Sequence, residues 1–357
     1  MRVRDGERVS DAIVIRRPDD WHVHLRAGAT LARVLPYTAA HFARAIVMPN
    51  LSPPVTTRAA VNAYRDEIVR ALPKGARFTP LMTLYLTDAS DPQEIVAAHR
   101  AGEIAAVKLY PAHATTGSAA GVTSIDQVER VLEAMAEHGV PLLVHGEVTD
   151  HDVDVFDRER VFIDRVLAPL VERHASLRVV LEHVTTTEAV SFVESAREGV
   201  AATVTAHHLV VNRTDMFRGG VRPHLYCLPV PKREAHRRAL VDVVTRGSPR
   251  FFFGSDTAPH ARRAKESACG CAGVFSAPTA LSVVVEVFAR AGALAHLEGF
   301  LSLHGPRFYG LPANEERVAL VAGEGARAPE TVMLDDDEIV VFRGDEPLAY
   351  VMREVSA

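Results

Sequence analysis

The sequence predicts an α/β fold, an eight-stranded parallel (β/α)8 barrel of the TIM type, and three observations carry that expectation. Short apolar or β-branched runs alternate with longer helix-like stretches, the pattern of repeated βα units joined by crossover helices. Eight such runs can be counted between residues 20 and 256. No GxGxxG follows the first run and no phosphate-binding loop occurs, so the usual signature of an open doubly wound sheet is missing.

In chain order, strands are expected at 20–26, 45–50, 79–86, 105–110, 141–146, 178–183, 201–206 and 251–256. Helices are expected at 57–72, 92–101, 124–138 and 186–198, where apolar residues recur on one face. Thr186 or Thr187 is placed to cap the last of these, with Glu188 in its first turn. Gly139 and Gly199 fall just past helical runs, where glycine relieves a left-handed backbone. Beyond Tyr309 the texture changes to short β-like runs at 317–321, 331–334 and 338–342, separated by acidic or Gly/Pro turns. The chain reads as a single domain, a barrel over about 12–310 with a C-terminal extension over about 311–357.

With 357 residues, 48% of them hydrophobic and 24% charged, and a formal net charge of −5, the chain can bury a large core, which excludes disorder as its main state. Basic residues are interspersed with acidic ones, so neither nucleic acid nor an anionic membrane is the expected partner, and a small molecule is. No run of 18 apolar residues occurs and the opening MRVRDGERV lacks an apolar signal-peptide core, which points to the cytoplasm. Cys227, Cys269 and Cys271 cannot form a disulfide framework and lack a second pair at zinc-ligand spacing, so free thiols are expected.

Polar residues unusual for buried strands stand at the C-terminal ends of these runs. His22, His24 and Arg26 lie on the first, Asn50 ends the second, Lys108 is near the end of the fourth, and His145, His183 and Asp256 end the fifth, sixth and eighth. In a β/α barrel those ends form one rim around one mouth, where active sites lie. His22 and His24, two apart on a strand, point to the same face. Alone, the HxH pair reads as two hydrogen-bonded core histidines. Four histidines and an aspartate converging on one mouth instead suit a metal, because it satisfies several buried polar groups together. Imidazole and carboxylate ligands favour zinc. Two metals use the whole set, with His22, His24 and Asp256 on one and His145 and His183 on the other. Lys108 is the candidate anionic bridge, as a carbamate formed when its neutral amine adds carbon dioxide. The alternative for Lys108 is a salt bridge or a side chain that snorkels to solvent. The segment 111–121, rich in Ala, Gly, Ser and Thr, reads as a mobile lid in which Thr115 and Thr116 can close on a ligand.

Seven segments then carry a family resemblance: DDWHVHLR at 19–26, VMPN ending at Asn50, KLYPAHATTGS at 108–118, VHGE at 144–147, LEH ending at His183, RPHLYCLP at 222–229, and GSDTAPHARRAKESACGCAG at 254–273. With these the chain resembles the dihydroorotases of the short, type II kind, within the amidohydrolase superfamily, along the whole barrel. Departures are small: His113 stands where asparagine is usual, Arg263 and Ala264 vary the stretch after His260, and Pro231 replaces a longer apolar residue.

The resemblance implies two zinc ions per subunit, bridged by N6-carboxylated Lys108 and a hydroxide. It implies that Arg26, Asn50 and His260 hold a substrate carboxylate, and that backbone groups near Leu228 and Ala272 hold a pyrimidine ring edge. It also implies Asp256 as proton carrier, a homodimer, and reversible cyclisation of N-carbamoyl-L-aspartate to L-dihydroorotate. Other cyclic amide hydrolases, such as hydantoinases or allantoinases, and a non-catalytic scaffold relative are the alternatives. Hydantoin offers no carboxylate to Arg26, and a scaffold would be expected to have lost ligands that this sequence keeps.

Overall fold

The computed structural model describes residues 12–355, so the stretch MRVRDGERV lies outside the described residues. A short strand β1 (Ile13–Arg16) precedes eight parallel strands. These are β2 (Asp20–Val23), β3 (Arg44–Val47), β4 (Thr79–Tyr85), β5 (Ala106–Leu109), β6 (Leu142–Val144), β7 (Val179–Leu181), β8 (Val200–Val204) and β9 (Phe251–Phe253), hydrogen-bonded in that order. The ring closes between the first and last: Val23 bridges Thr257 in parallel, the His24 amide donates to the Thr257 carbonyl (3.0 Å), and the Asp256 amide donates to the His22 carbonyl (2.9 Å). The barrel predicted from the alternation of runs is thus formed, with every expected strand in place.

The strands are shorter than expected at their C-terminal ends. Asn50, His145, His183 and Asp256 stand just past the paired residues rather than in them. The cause is local at two of them, because His183 (φ 43°) and Asp256 (φ 46°) are in the left-handed region and leave the ladder there. Arg26 (φ 60°) behaves likewise beyond β2.

Crossover helices cover the outside. Helix Arg58–Ala71 starts at Thr57, whose hydroxyl accepts from the Ala60 amide, and helix Pro92–Arg100 starts at Asp91, whose carboxylate accepts from the Gln93 amide. Thr186 is the cap of helix Thr187–Ser195, and Gly139 ends helix Glu129–His138 at φ 67°. Gly199 does not terminate a helix as expected. The helix before it stops at Ser195 with an extended Ala196, and Gly199 (φ 87°) turns the chain into β8.

Inside the barrel, Ile46, Met48, Ala106, Leu143, Val180, Ala201 and Phe252 form a floor with Trp21 and Tyr309, whose rings stack at 4.6 Å. The tail brings three more features. Strand β10 (Arg317–Ala322) pairs antiparallel with β1 and with β13 (Tyr350–Glu354), while β11 (Thr331–Leu334) and β12 (Asp337–Val340) form a hairpin. β1 and β13 were not foreseen: each is only four or five residues long, and their partner is about 300 residues away from β1. The hairpin packs Val332 and Ile339 on Val34, Phe275 and Val341.

Candidate metal centre

Position along each strand decides what reaches the mouth. Ala106, Leu143 and Val180 face the floor, and two residues further on, with the same orientation, stand Lys108, His145 and Glu182. His183 has the opposite parity, and its positive φ is what brings it to the same mouth.

The described geometry gathers the expected residues. His22 Nε2 and His24 Nε2 are 3.2 Å apart, and Asp256 Oδ1 lies 3.3 Å from the first and 3.0 Å from the second. The His183 ring stands 5.1 Å from that of His22 and 4.9 Å from that of His145, centroid to centroid. Lys108 is fully buried. A salt bridge, one of the alternatives for Lys108, is what the structure shows: its ammonium pairs with the Glu182 carboxylate, a partner the sequence reading did not identify.

Two observations show that these residues fit a metal. First, His24 and His145 each have one ring nitrogen hydrogen-bonded to an outer acceptor and His22 has one beside a carboxylate, which leaves the other nitrogen of each for the centre. His22 Nδ1 stands 3.0 Å from Glu182, His24 Nδ1 lies 2.8 Å from Asn50 Oδ1, and His145 Nε2 lies 2.9 Å from Glu147. Second, the site calls for positive charge. Burial pulls the His22 pKa down, yet Glu182 and Asp256 on either side raise it to about 9. Burial lowers His24 to about 4 and His183 well below the ordinary range, so both are neutral, the form that ligates. Candidate ligand atoms of His22, His24 and Asp256 lie within 4.8 Å of one another, as do those of His22, Glu182 and His183.

Around the centre, Arg26 donates from Nε to the Pro259 carbonyl (3.1 Å), and its Nη2 lies 3.0 Å from His260 Nε2. The remaining guanidinium N–H groups are left for an anion, and Arg26 lines the cavity. His260 is not among the residues that line it; its ring stands beside Arg26, with Nε2 also 3.0 Å from the Ala272 carbonyl. Asn50 has both ends engaged, its Oδ1 by His24 and its Nδ2 donating to the Thr116 carbonyl (3.1 Å). Leu228, Ala272, Thr115 and Thr116 all face the cavity.

The lid segment is folded over the mouth. The Ser118 hydroxyl donates to the Thr115 carbonyl (2.6 Å), the His113 amide to the Ser118 carbonyl (3.1 Å) and the Tyr85 hydroxyl to the Gly117 carbonyl (3.3 Å). His113 takes φ 66°, a conformation that Asn and His adopt more readily than most residues. The cavity these residues leave is narrow and partly open, with about 20 Å³ in which the centre of a water-sized sphere fits.

Sequence reasoning missed three residues here. Glu182 stands next to the recognised ligand His183 and Glu147 two residues after the recognised ligand His145. Tyr110, whose buried hydroxyl has no hydrogen-bond partner among the described residues, lines the cavity, and nothing in its sequence neighbourhood distinguished it. Cys227 is buried, Cys271 half-buried and Cys269 exposed, and all three are free thiols. Among the described residues no helix is long and apolar enough to cross a membrane.

Comparison with known proteins gives one consistent answer. A family model described as the amidohydrolase family matches residues 15–319. A curated protein of Sphingopyxis alaskensis named dihydroorotase is 57% identical over 342 residues, covering 96% of this chain and 99% of that protein. The crystal structure of a Campylobacter jejuni dihydroorotase superposes with a TM-score of 0.88 at 35% identity, over 97% of this chain and 98% of that one. A Saccharomyces cerevisiae dihydroorotase in complex with 5-fluoroorotic acid gives 0.89 at 33% identity, over 97% and 99%.

Proposed function

From the premise that this chain belongs to the amidohydrolase family, we propose that it is a dihydroorotase, interconverting N-carbamoyl-L-aspartate and L-dihydroorotate, the third step of pyrimidine biosynthesis. The observation that carries this reading is the pairing of a metal-fitting cluster with Arg26 at one barrel mouth, which combines amide hydrolysis with recognition of a carboxylate. The yeast relative's complex with an orotic acid analogue, a pyrimidine ring bearing a carboxylate, supports the same substrate class. A hydantoin offers no such group to Arg26.

His22, His24 and Asp256 would hold one zinc, and His145 and His183 a second, with carboxylated Lys108 between them. Full burial of Lys108 and its pairing with Glu182, which also stands beside His22, support a place at the centre. When bound, the metals polarise the ring carbonyl as Lewis acids and lower the pKa of the attacking water. Asp256 accepts the proton released as water adds to the ring amide carbon and returns it to the leaving ring nitrogen. The reverse order serves cyclisation. Arg26 holds the carboxylate through a guanidinium already aligned by the Pro259 carbonyl and His260 beside it. Thr115 and Thr116 close over the ring and exclude water. The reading expects a homodimer in the cytoplasm and one functional unit over the whole chain.

The test is Asp256→Ala. Hydrolysis and cyclisation should both fall below detection while the protein stays folded by circular dichroism. Near-normal turnover in either direction would remove Asp256 from the proton path.

A further inference from the structure

Lys265 is almost fully buried at the end of a four-residue helix, Arg262–Lys265, and the mechanism above does not use it. Its ammonium donates to three backbone carbonyls, those of Tyr226 (2.7 Å), Cys271 (2.8 Å) and Gly273 (2.9 Å). That uses all three of its donors. Among the described residues it has no carboxylate partner. A buried ammonium without a counter-ion is costly, so the arrangement needs a return.

The acceptors show what the return is. Tyr226 begins the segment that presents Leu228 to the cavity, and Cys271 and Gly273 flank Ala272, so one side chain pins both backbone stretches that form that wall. We propose that Lys265 is a positioning residue that fixes the wall receiving the substrate's ring edge. The proposal rests on the dihydroorotase reading of the site. The metal-fitting residues are carried by other elements, so loosening this wall weakens substrate binding and leaves the chemical step in place. Such a change raises KM with kcat little altered.

The role has a pH signature. Burial lowers Lys265 to about 8, against the opposing pull of Cys227 and Cys271. Above that pH a neutral amine has two N–H groups for three carbonyls. The other titratable groups facing it are shifted away from that pH. Burial raises the Tyr226 and Cys271 groups and takes the Cys227 thiol far up, while burial, with Arg26 as the next cause, holds His260 at about 3. Burial likewise holds His207 at about 4.

The experiment is steady-state hydrolysis of L-dihydroorotate by metal-loaded wild type across pH 6.5–9.5, and by Lys265→Met at pH 7, with metal content and Tm recorded. The expected results are a wild-type KM that climbs above pH about 8 and a variant KM raised about tenfold or more, with kcat within about threefold and metal content unchanged. Unchanged KM in a folded variant, or parallel loss of kcat, metal and Tm, overturns the inference in favour of a purely structural staple. If the variant does not fold, a flat wild-type KM across the range overturns it instead. A wild type with no turnover removes the dihydroorotase reading itself, which separates the two failures.

Discussion

Glu182 shows how one buried side chain can hold a site together. It stands 3.0 Å from His22 Nδ1 and pairs with Lys108, so it touches a candidate ligand of each metal. A carboxylate behind a ligating imidazole fixes the tautomer and raises ligand basicity. Glu182→Gln should therefore weaken metal affinity by about 10–100-fold, read by competition with a chromophoric chelator. Unchanged affinity would restrict Glu182 to holding Lys108. At this scale the histidines, Lys108 and Asp256 were legible because polar residues at strand ends violate the apolar pattern around them. Glu182 was hidden by His183 next to it, since a strand of known parity should send only one of the two inward. The positive φ at His183 that brings both to the mouth has no sequence signature for a non-glycine residue.

The lid at 111–121 is the element on which turnover should depend. Thr115 and Thr116 line the cavity and the Thr116 carbonyl accepts from Asn50 Nδ2, so this bond ties the segment to the mouth and is the one a moving lid would break. Replacing both Thr115 and Thr116 with alanine should lower kcat by about tenfold or more with metal content unchanged, measured by stopped assays and metal analysis. An undiminished rate would make the segment an ordinary connection. The position of this loop was legible from its composition. Its bonds to Asn50 and Tyr85 were not, because they join residues that only the closed barrel makes neighbours. The short helix Arg262–Lys265 behaves similarly. Arg262 reaches Glu338 (2.7 Å) and Arg263 reaches Asp336 (3.0 Å), so the C-terminal hairpin braces the element that carries Lys265.

Across the whole molecule, a barrel closed on itself sets the mouth by packing its floor. Gly305 lies against Trp21, where an added Cβ would meet the indole Nε1 at 2.0 Å. Gly305→Ala should cost about 3 kcal/mol, the upper part of the overpacking range, seen as a lower denaturation midpoint with unchanged m. A midpoint equal to wild type would mean that the floor yields easily. The barrel was legible because eight βα units repeat one local pattern. The sheet of β1, β10 and β13 was not, since its short strands gain their pairing from opposite ends of the chain.

The central claim is that this mouth hydrolyses a cyclic amide that carries a carboxylate. It is tested most directly by incubating the purified protein, supplied with zinc and bicarbonate, with L-dihydroorotate and following loss of the ring absorbance. Turnover that disappears on chelation and returns with metal is the predicted result. No turnover from protein confirmed to hold two metals per chain would contradict the claim and redirect attention to cyclic amides without a carboxylate.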